Sequence, residues 1–159
     1  MHSMTKEINT ELYKVLRSHG SVSVAILADR TGLTILRVAR LLVKETLGEY
    51  ELESIGAIGS AVFMGASEQG NTLSLGGLDV MIAEFKDGKI LTSQAGESGI
   101  IIVVTESSSQ LGLIRVLLKE SSKVLSEIMN NMVTADQDSV VRREESQSIL
   151  DALKELESF

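Results

Sequence analysis

The chain has 159 residues, a net charge of −7 and no cysteine, which suggests one domain with an appended element and excludes disulfides and thiolate metal sites. Aromatic residues make up only 3% of the chain, so little is available for stacking on single-stranded nucleic acid. The acidic balance also argues against a phosphate-binding surface, and we expect no nucleic-acid partner. The longest uncharged run, Ser54 to Ser67, has fourteen residues against the roughly 20 of a spanning helix, so we expect a cytoplasmic protein without a membrane span.

The first third of the chain predicts a helix followed by a β-hairpin. Apolar residues between Thr5 and Ser18 fall on one side of a helix, and alternation predicts a strand over residues 21–28. Asp29 to Gly32 has the residue types of a tight turn, after which residues 33–38 return as the second strand. The pattern of residues 39–50 does not distinguish helix from strand.

Residues 51–69 are predicted to form a second helix that ends at Gly70. Its interior from Ser54 to Ala66 is apolar or small nearly all round, whereas a surface helix has a polar face. Three glycines in this interior cost roughly 1 kcal/mol each relative to alanine. We therefore expect close packing against this helix, with cover on two of its sides.

Three more strands are predicted in quick succession. Leu78 to Phe85 and Ile90 to Ala95 flank Asp87-Gly88, a strong signal for a two-residue hairpin. Ile100 to Val104 is a continuous apolar run, as expected of a central strand that is covered on both faces.

A third helix follows, with serines 107–109 as candidate N-caps and an apolar stripe at helical spacing. Beyond it, residues 132–159 hold three Lys/Arg and seven Asp/Glu, a net charge of −4, against −3 for residues 1–131. From about Ser139 this acidic tail is predicted to form an amphipathic helix. Two interpretations stay open, since the tail could pack on its own domain or bind a partner. Its apolar stripe contains Ile149, Leu150, Leu153 and Leu156.

No catalytic, cofactor-binding or metal-binding set is recognisable, so we expect a protein that is not an enzyme. With only two histidines, no Ser-His-acid triad is available. The glycines lack the strand and Lys-Ser/Thr context of a phosphate loop. Asp29 is the right residue type for a metal ligand, but a turn role accounts for it, and helix-dipole complementarity accounts for Glu49, Glu51 and Glu53 better than calcium does.

The order of these elements resembles the roadblock/dynein light chain family over roughly residues 5–130. The resemblance rests on the hairpin Ala28-Asp-Arg-Thr-Gly-Leu33, the small-residue second helix and the segment Thr105-Glu-Ser-Ser-Ser-Gln-Leu-Gly-Leu-Ile-Arg115, taken in order. It implies an α/β (α+β) fold with a five-stranded antiparallel sheet sandwiched by helices, in the order αββαβββα plus an extra C-terminal helix. The second helix would lie on one face and the terminal helices on the other. Residues 1–131 would then be a roadblock-like domain and residues 132–159 an acidic C-terminal helical extension.

The resemblance also implies a homodimer, or a heterodimer with a related roadblock-like subunit. The second helices would pack antiparallel across a two-fold axis, and the third strands would join into one sheet. The missing polar face of the second helix independently agrees with this. The interface residues implied are Ile55, Ile58, Gly59, Ala61, Val62, Gly65, Leu78, Val80 and Ile82.

Members of this family act on small Ras-like GTPases, so the resemblance implies a dimeric interaction module that binds and regulates such a GTPase. A supplied arginine can stabilise phosphoryl-transfer charge, but family members that activate GTPases act largely by repositioning the GTPase's own residues. The alternatives are a structural adaptor with no effect on nucleotide turnover and a small-molecule sensor of the PAS or GAF kind, which would need a polar or aromatic pocket. The candidate partner contacts are Arg30, Arg37, Arg40 and Arg115.

Overall fold

A computed structural model of the chain describes residues 2–157, apart from the side chains of residues 132–139. The elements in chain order are α1 (His2–Ser18), β1 (Val22–Asp29), β2 (Thr34–Ala39), α2 (Leu41–Thr46), α3 (Glu49–Thr72), β3 (Val80–Phe85), β4 (Gly88–Ala95), β5 (Gly99–Glu106) and α4 (Leu111–Glu157). The five strands form one antiparallel sheet in the order β2-β1-β5-β4-β3, so β5 is central and β2 and β3 are the edges. The predicted fold class is confirmed.

The first hairpin is closed by the side chain that the sequence marks as a turn residue. Asp29 Oδ1 accepts hydrogen bonds from the amides of Thr31 (2.9 Å) and Leu33 (3.0 Å) and from the Thr31 hydroxyl (2.6 Å). Gly32 has φ +94°, a conformation that favours glycine. Asp29 is therefore a turn residue, as predicted.

The second hairpin differs from its prediction by one residue. Its two loop residues are Lys86 and Asp87, and Gly88 already pairs with Phe85 as the first residue of β4. A Cβ atom added to Gly88 would lie 2.8 Å from the backbone oxygen of Thr105. Glycine is needed here because the neighbouring strand comes close.

Apolar side chains on both faces of the sheet build the core. On one face, α3 packs on alternate residues of β1 and β5 and forms a cluster that includes Ile26, Phe63 and Ile102. The residues between them, such as Leu27 and Ile101, are fully buried on the other face. The helices of that second face bury Ile8, Leu12, Val15 and Leu16 from α1 and Ile114, Leu118, Leu125 and Ile128 from α4.

A buried polar contact joins these two helices, since the hydroxyl of Ser121 donates to Glu11 Oε1 at 2.9 Å. The terminal helices therefore cover the face opposite α3, as the resemblance implied.

Residues 39–50 contain a short helix, α2, which the sequence pattern did not predict because none of its side chains is buried. The helix after β5 begins at Leu111, and Ser109 binds the Thr105 hydroxyl (2.9 Å) in the core rather than capping that helix.

The third helix and the tail helix of the sequence prediction lie in one continuous helix, α4. The chain divides into two compact units, the first ending at Met129 and the second beginning at Asn130. Within residues 2–157 no helix has both the length and the apolar character needed to cross a membrane.

Candidate functional site

Helix α3 has two faces of different character. Its small residues lie against its own sheet: a Cβ on Gly59 would lie 2.6 Å from Ile102 Cδ1, and one on Gly56 would collide with the Thr34 hydroxyl. The glycines therefore bring α3 close to the strands beneath it. On the opposite face, Ile58 is 63% exposed and Val62 is 52% exposed.

The exposed apolar side of α3 continues into a groove beside edge strand β3. We call this surface the α3–β3 groove. Its volume is about 250 Å³, and Ser54 and Thr92 are its only polar lining residues among residues 2–157. The full lining is Ser54, Ile55, Ile58, Gly59, Val62, Met81, Ala83, Phe85, Ile90 and Thr92.

Strand β3 leaves one of its edges open. It pairs with β4 through all six of its residues, and no other strand of the described chain lies beside it. An unpaired row of backbone groups next to an apolar groove is suited to pairing with a strand from another chain.

The predicted interface residues on α3 divide between its two faces. Ile58, Ala61, Val62 and Gly65 are exposed. Ile55 is half-buried against the core cluster, and the missing side chain of Gly59 faces Ile102 of the same chain.

The predicted residues of β3 lie on the face away from α3. Val80 and Ile82 pair with Ser93 and Leu91, whereas the groove is lined by Met81, Ala83 and Phe85. Sequence reasoning missed these three residues because both alternating sets of β3 begin with large apolar side chains, Val80 and Ile82 in one set and Met81 in the other. Leu78 precedes β3 and packs against the α3 core.

Two of the four candidate arginines lie on the α3 side of the molecule. Arg30 is exposed in the first turn and donates to the backbone oxygen of Glu97 (3.2 Å). Arg37 on β2 pairs with Glu53 (3.0 Å) and more loosely with Glu49 (3.8 Å), both of which are well exposed. The Arg37 side chain itself is only 23% exposed, so these pairs are open to solvent on the glutamate side and largely covered on the arginine side.

The other two arginines lie elsewhere. Arg40 donates to the backbone oxygens of Val22 (2.6 Å), His19 (2.9 Å) and Leu16 (3.0 Å), which satisfies the C-terminal end of α1. Arg115 is exposed on α4, the helix of the opposite sheet face. The structure therefore does not gather the four arginines into one site.

The acidic side chains that could suggest a metal have other roles. The hydrogen bond from the Thr31 hydroxyl, with the backbone amides of the turn, holds the pKa of Asp29 below its ordinary value of 3.8 despite the opposing effect of burial. Glu49 and Glu53 face Arg37. In the described part of the chain, no group of three or more His, Asp or Glu side chains is placed to hold a metal ion.

Comparison with known proteins agrees with this architecture. The family model described as "Mitogen-activated protein kinase kinase 1 interacting" matches residues 6–133. An uncharacterised protein of Methanocaldococcus jannaschii is 31% identical over 115 residues, which covers 72% of this chain and 90% of that one.

Two solved structures show the same fold. The gliding protein MglB from Thermus thermophilus has a TM-score of 0.71 at 17% identity and covers 80% of this chain and 92% of its own. A roadblock/LC7 domain from Streptomyces avermitilis has a TM-score of 0.68 at 12% identity and covers 76% of this chain and 95% of its own. At these identities the likeness shows a roadblock/LC7-like fold and carries no function with it.

Proposed function

This chain belongs to the mitogen-activated protein kinase kinase 1 interacting family and contains a roadblock/LC7-like domain, and from that premise we propose that it is a dimeric, non-enzymatic module that binds and regulates a small Ras-like GTPase. The partner in the dimer is a second copy or a related roadblock-like subunit. We propose residues 1–131 as the interaction domain and residues 132–159 as its helical extension.

The α3–β3 groove is the single observation that carries this proposal. A single chain leaves Ile58, Val62 and Phe85 more than half exposed around one apolar groove. Burying a large aliphatic or aromatic side chain is worth about 1.5–3 kcal/mol, so covering this face with a second copy is strongly favourable. If two copies met across a two-fold axis beside α3 and β3, each copy would cover the groove of the other.

The regulatory part of the proposal rests on the roadblock/LC7-like resemblance and on two arginines at the α3 side of the sheet. Arg30 donates to the backbone oxygen of Glu97 and Arg37 pairs with Glu53, so a charged partner would compete for these contacts, whereas Arg40 is committed to the end of α1. The dispersed arginines favour regulation by positioning the GTPase's own residues over direct donation of an arginine to the reaction.

The test is binding to the small Ras-like GTPases encoded in the same genome. We expect one of them, loaded with a non-hydrolysable GTP analogue, to co-purify with this protein and to bind it in a titration. Replacing both Arg30 and Arg37 with Glu should weaken that binding, whereas Arg115→Glu, on the opposite sheet face, serves as the matched control. If none of the GTPases binds, the regulatory proposal is wrong.

A structural adaptor is the second candidate, because the described residues provide apolar docking surface and no reaction centre. It differs from the first candidate in one measurement. A GTPase that binds while its hydrolysis and exchange rates stay unchanged would favour the adaptor.

A further inference from the structure

The C-terminal part of α4, in the second compact unit, carries an apolar surface of its own. Ile149 and Leu156 are 62% and 72% exposed, and Leu150 and Leu153 are each 52% exposed. At 100° per residue these four side chains fall within about 120° of one another on the helix. On the far side of the helix, the Gln147 amide donates to Asp151 Oδ1 at 3.2 Å. We call the four apolar residues the C-terminal stripe.

We propose that the C-terminal stripe pairs with the C-terminal stripe of a second copy in an antiparallel helix pair. Three or four aliphatic side chains per two helical turns is the density of a helix–helix seam. Placing Ile149 level with Leu153 of the second copy brings the two stripes together and sets Ser146 opposite the second copy's Leu156.

The charged residues along the helix favour the antiparallel over the parallel orientation of the helix pair. Arg142 lies in line with the stripe, seven residues before Ile149, and a parallel pair would set it against the same residue of the second copy. In the antiparallel pair Arg142 no longer faces the same residue of the second copy. Arg143 then comes beside Glu157 of the second copy, and the symmetry of the pair makes this opposite-charge contact twice.

The size of the stripe makes this contact weak. Each of the four side chains can lose roughly 100 Å² of exposed surface, which gives roughly 800 Å² over both copies, against about 1,200–2,000 Å² for a stable interface. Pairing should therefore depend on protein concentration, and it should strengthen when another contact already holds two copies together.

Cysteine cross-linking in the full chain tests the pairing directly, since the native sequence has no cysteine. Two variants, Ser146→Cys and Leu156→Cys, are mixed and treated with a short bismaleimide. In the antiparallel pair the two introduced thiols are adjacent, whereas the identical residues of two copies lie about ten residues, or about 15 Å, apart along the axis. We expect the mixture to cross-link roughly tenfold faster than either variant alone, because neighbouring thiols have millimolar effective concentrations.

Equal rates in the mixture and in Leu156→Cys alone, or no cross-linking in either, would overturn the proposal. The first result indicates a parallel pair or random collision, and the second indicates that the stripes of two copies do not meet. Because a groove dimer would also bring the two C-terminal segments together, the cross-linking is repeated in an Ile58→Lys background, so the two interfaces can fail separately.

Solution mass provides the second measurement. In an Ile58→Lys background, which removes the contact through the α3–β3 groove, Leu153→Lys puts a charge at the centre of the stripe and should abolish the remaining rise of mass with concentration. Val140→Lys is the matched control, because Val140 is 51% exposed but lies on nearly the opposite side of the helix. A rise that survives Leu153→Lys would contradict the pairing.

Discussion

Replacing Ile58 with lysine should break the proposed dimer without unfolding the protomer. Ile58 is at the centre of the exposed side of α3, and its 63% exposure means that a lysine there meets solvent in the single chain. Its neighbour Gly59 faces the sheet, so the substitution leaves the packing on Ile102 intact. The measurement is best made in a Leu153→Lys background, where the C-terminal stripe contributes nothing to association.

The magnitude follows from the exposed area of the side chain. Full burial of isoleucine is worth up to about 3 kcal/mol, so burying the exposed part at a dimer interface is worth about 1–2 kcal/mol per copy. Two-fold symmetry doubles this to about 2–4 kcal/mol, and the buried lysines add a desolvation penalty. The dimer Kd should therefore rise by roughly a hundredfold or more.

Sedimentation or light scattering at low micromolar concentration measures the effect. We expect a dimer for the Leu153→Lys background and a monomer after Ile58→Lys, with unchanged helix content by circular dichroism. Val116→Lys is the matched control, because Val116 is 57% exposed on α4 at the opposite sheet face and should leave the dimer intact. An intact Ile58→Lys dimer would refute the assignment of α3 to the interface.

Further expectations concern stability. Phe63 is 1% exposed in the α3 core, so Phe63→Ala should cost about 3–5 kcal/mol in urea unfolding, and a loss below 1 kcal/mol would contradict the packing described. Arg40→Ala should cost about 3 kcal/mol because three backbone oxygens lose a charged donor, whereas Arg37→Ala should cost less than about 1 kcal/mol; equal losses would contradict their different roles. The pKa of Asp29 is lowered in the folded chain, so its carboxylate stabilises the fold above about pH 3.8 and this contribution is lost as the pH falls through the lowered value. Asp29→Asn should therefore destabilise the protein more at pH 7 than at pH 2, and an equal effect at both would contradict the turn geometry.

The sequence predicts the framework well because local chemistry determines it. Asp29 and Gly32 supply an acceptor and a positive φ for the first hairpin. The apolar run of β5 is explained by the burial of this central strand on both faces of the sheet. The apolar stripe of α1 is explained by the burial of one side of that helix. The missing polar face of α3 likewise points to an uncovered apolar surface.

The site is harder to predict because it depends on which face a residue points to. In β3 both alternating sets contain large apolar side chains, so periodicity does not decide that Met81 and Phe85, rather than Val80 and Ile82, line the groove. In α3, small residues allow close packing either against the helix of a second copy or against the sheet of the same chain. Gly59 packs against the sheet of its own chain.

Long-range partners are likewise invisible in a single sequence. Arg40 satisfies the backbone at the end of α1, more than twenty residues earlier in the chain. No local pattern distinguishes it from an arginine that meets a partner.

The GTP hydrolysis rate of the cognate small Ras-like GTPase, measured with and without this protein, tests the central claim most directly. We predict that the wild-type protein changes the rate at concentrations where it is a dimer. The Ile58→Lys variant should change it far less, since in the proposed dimer both copies contribute to the docking surface. A rate that is the same in the absence of the protein, in its presence and with the variant would contradict the regulatory role.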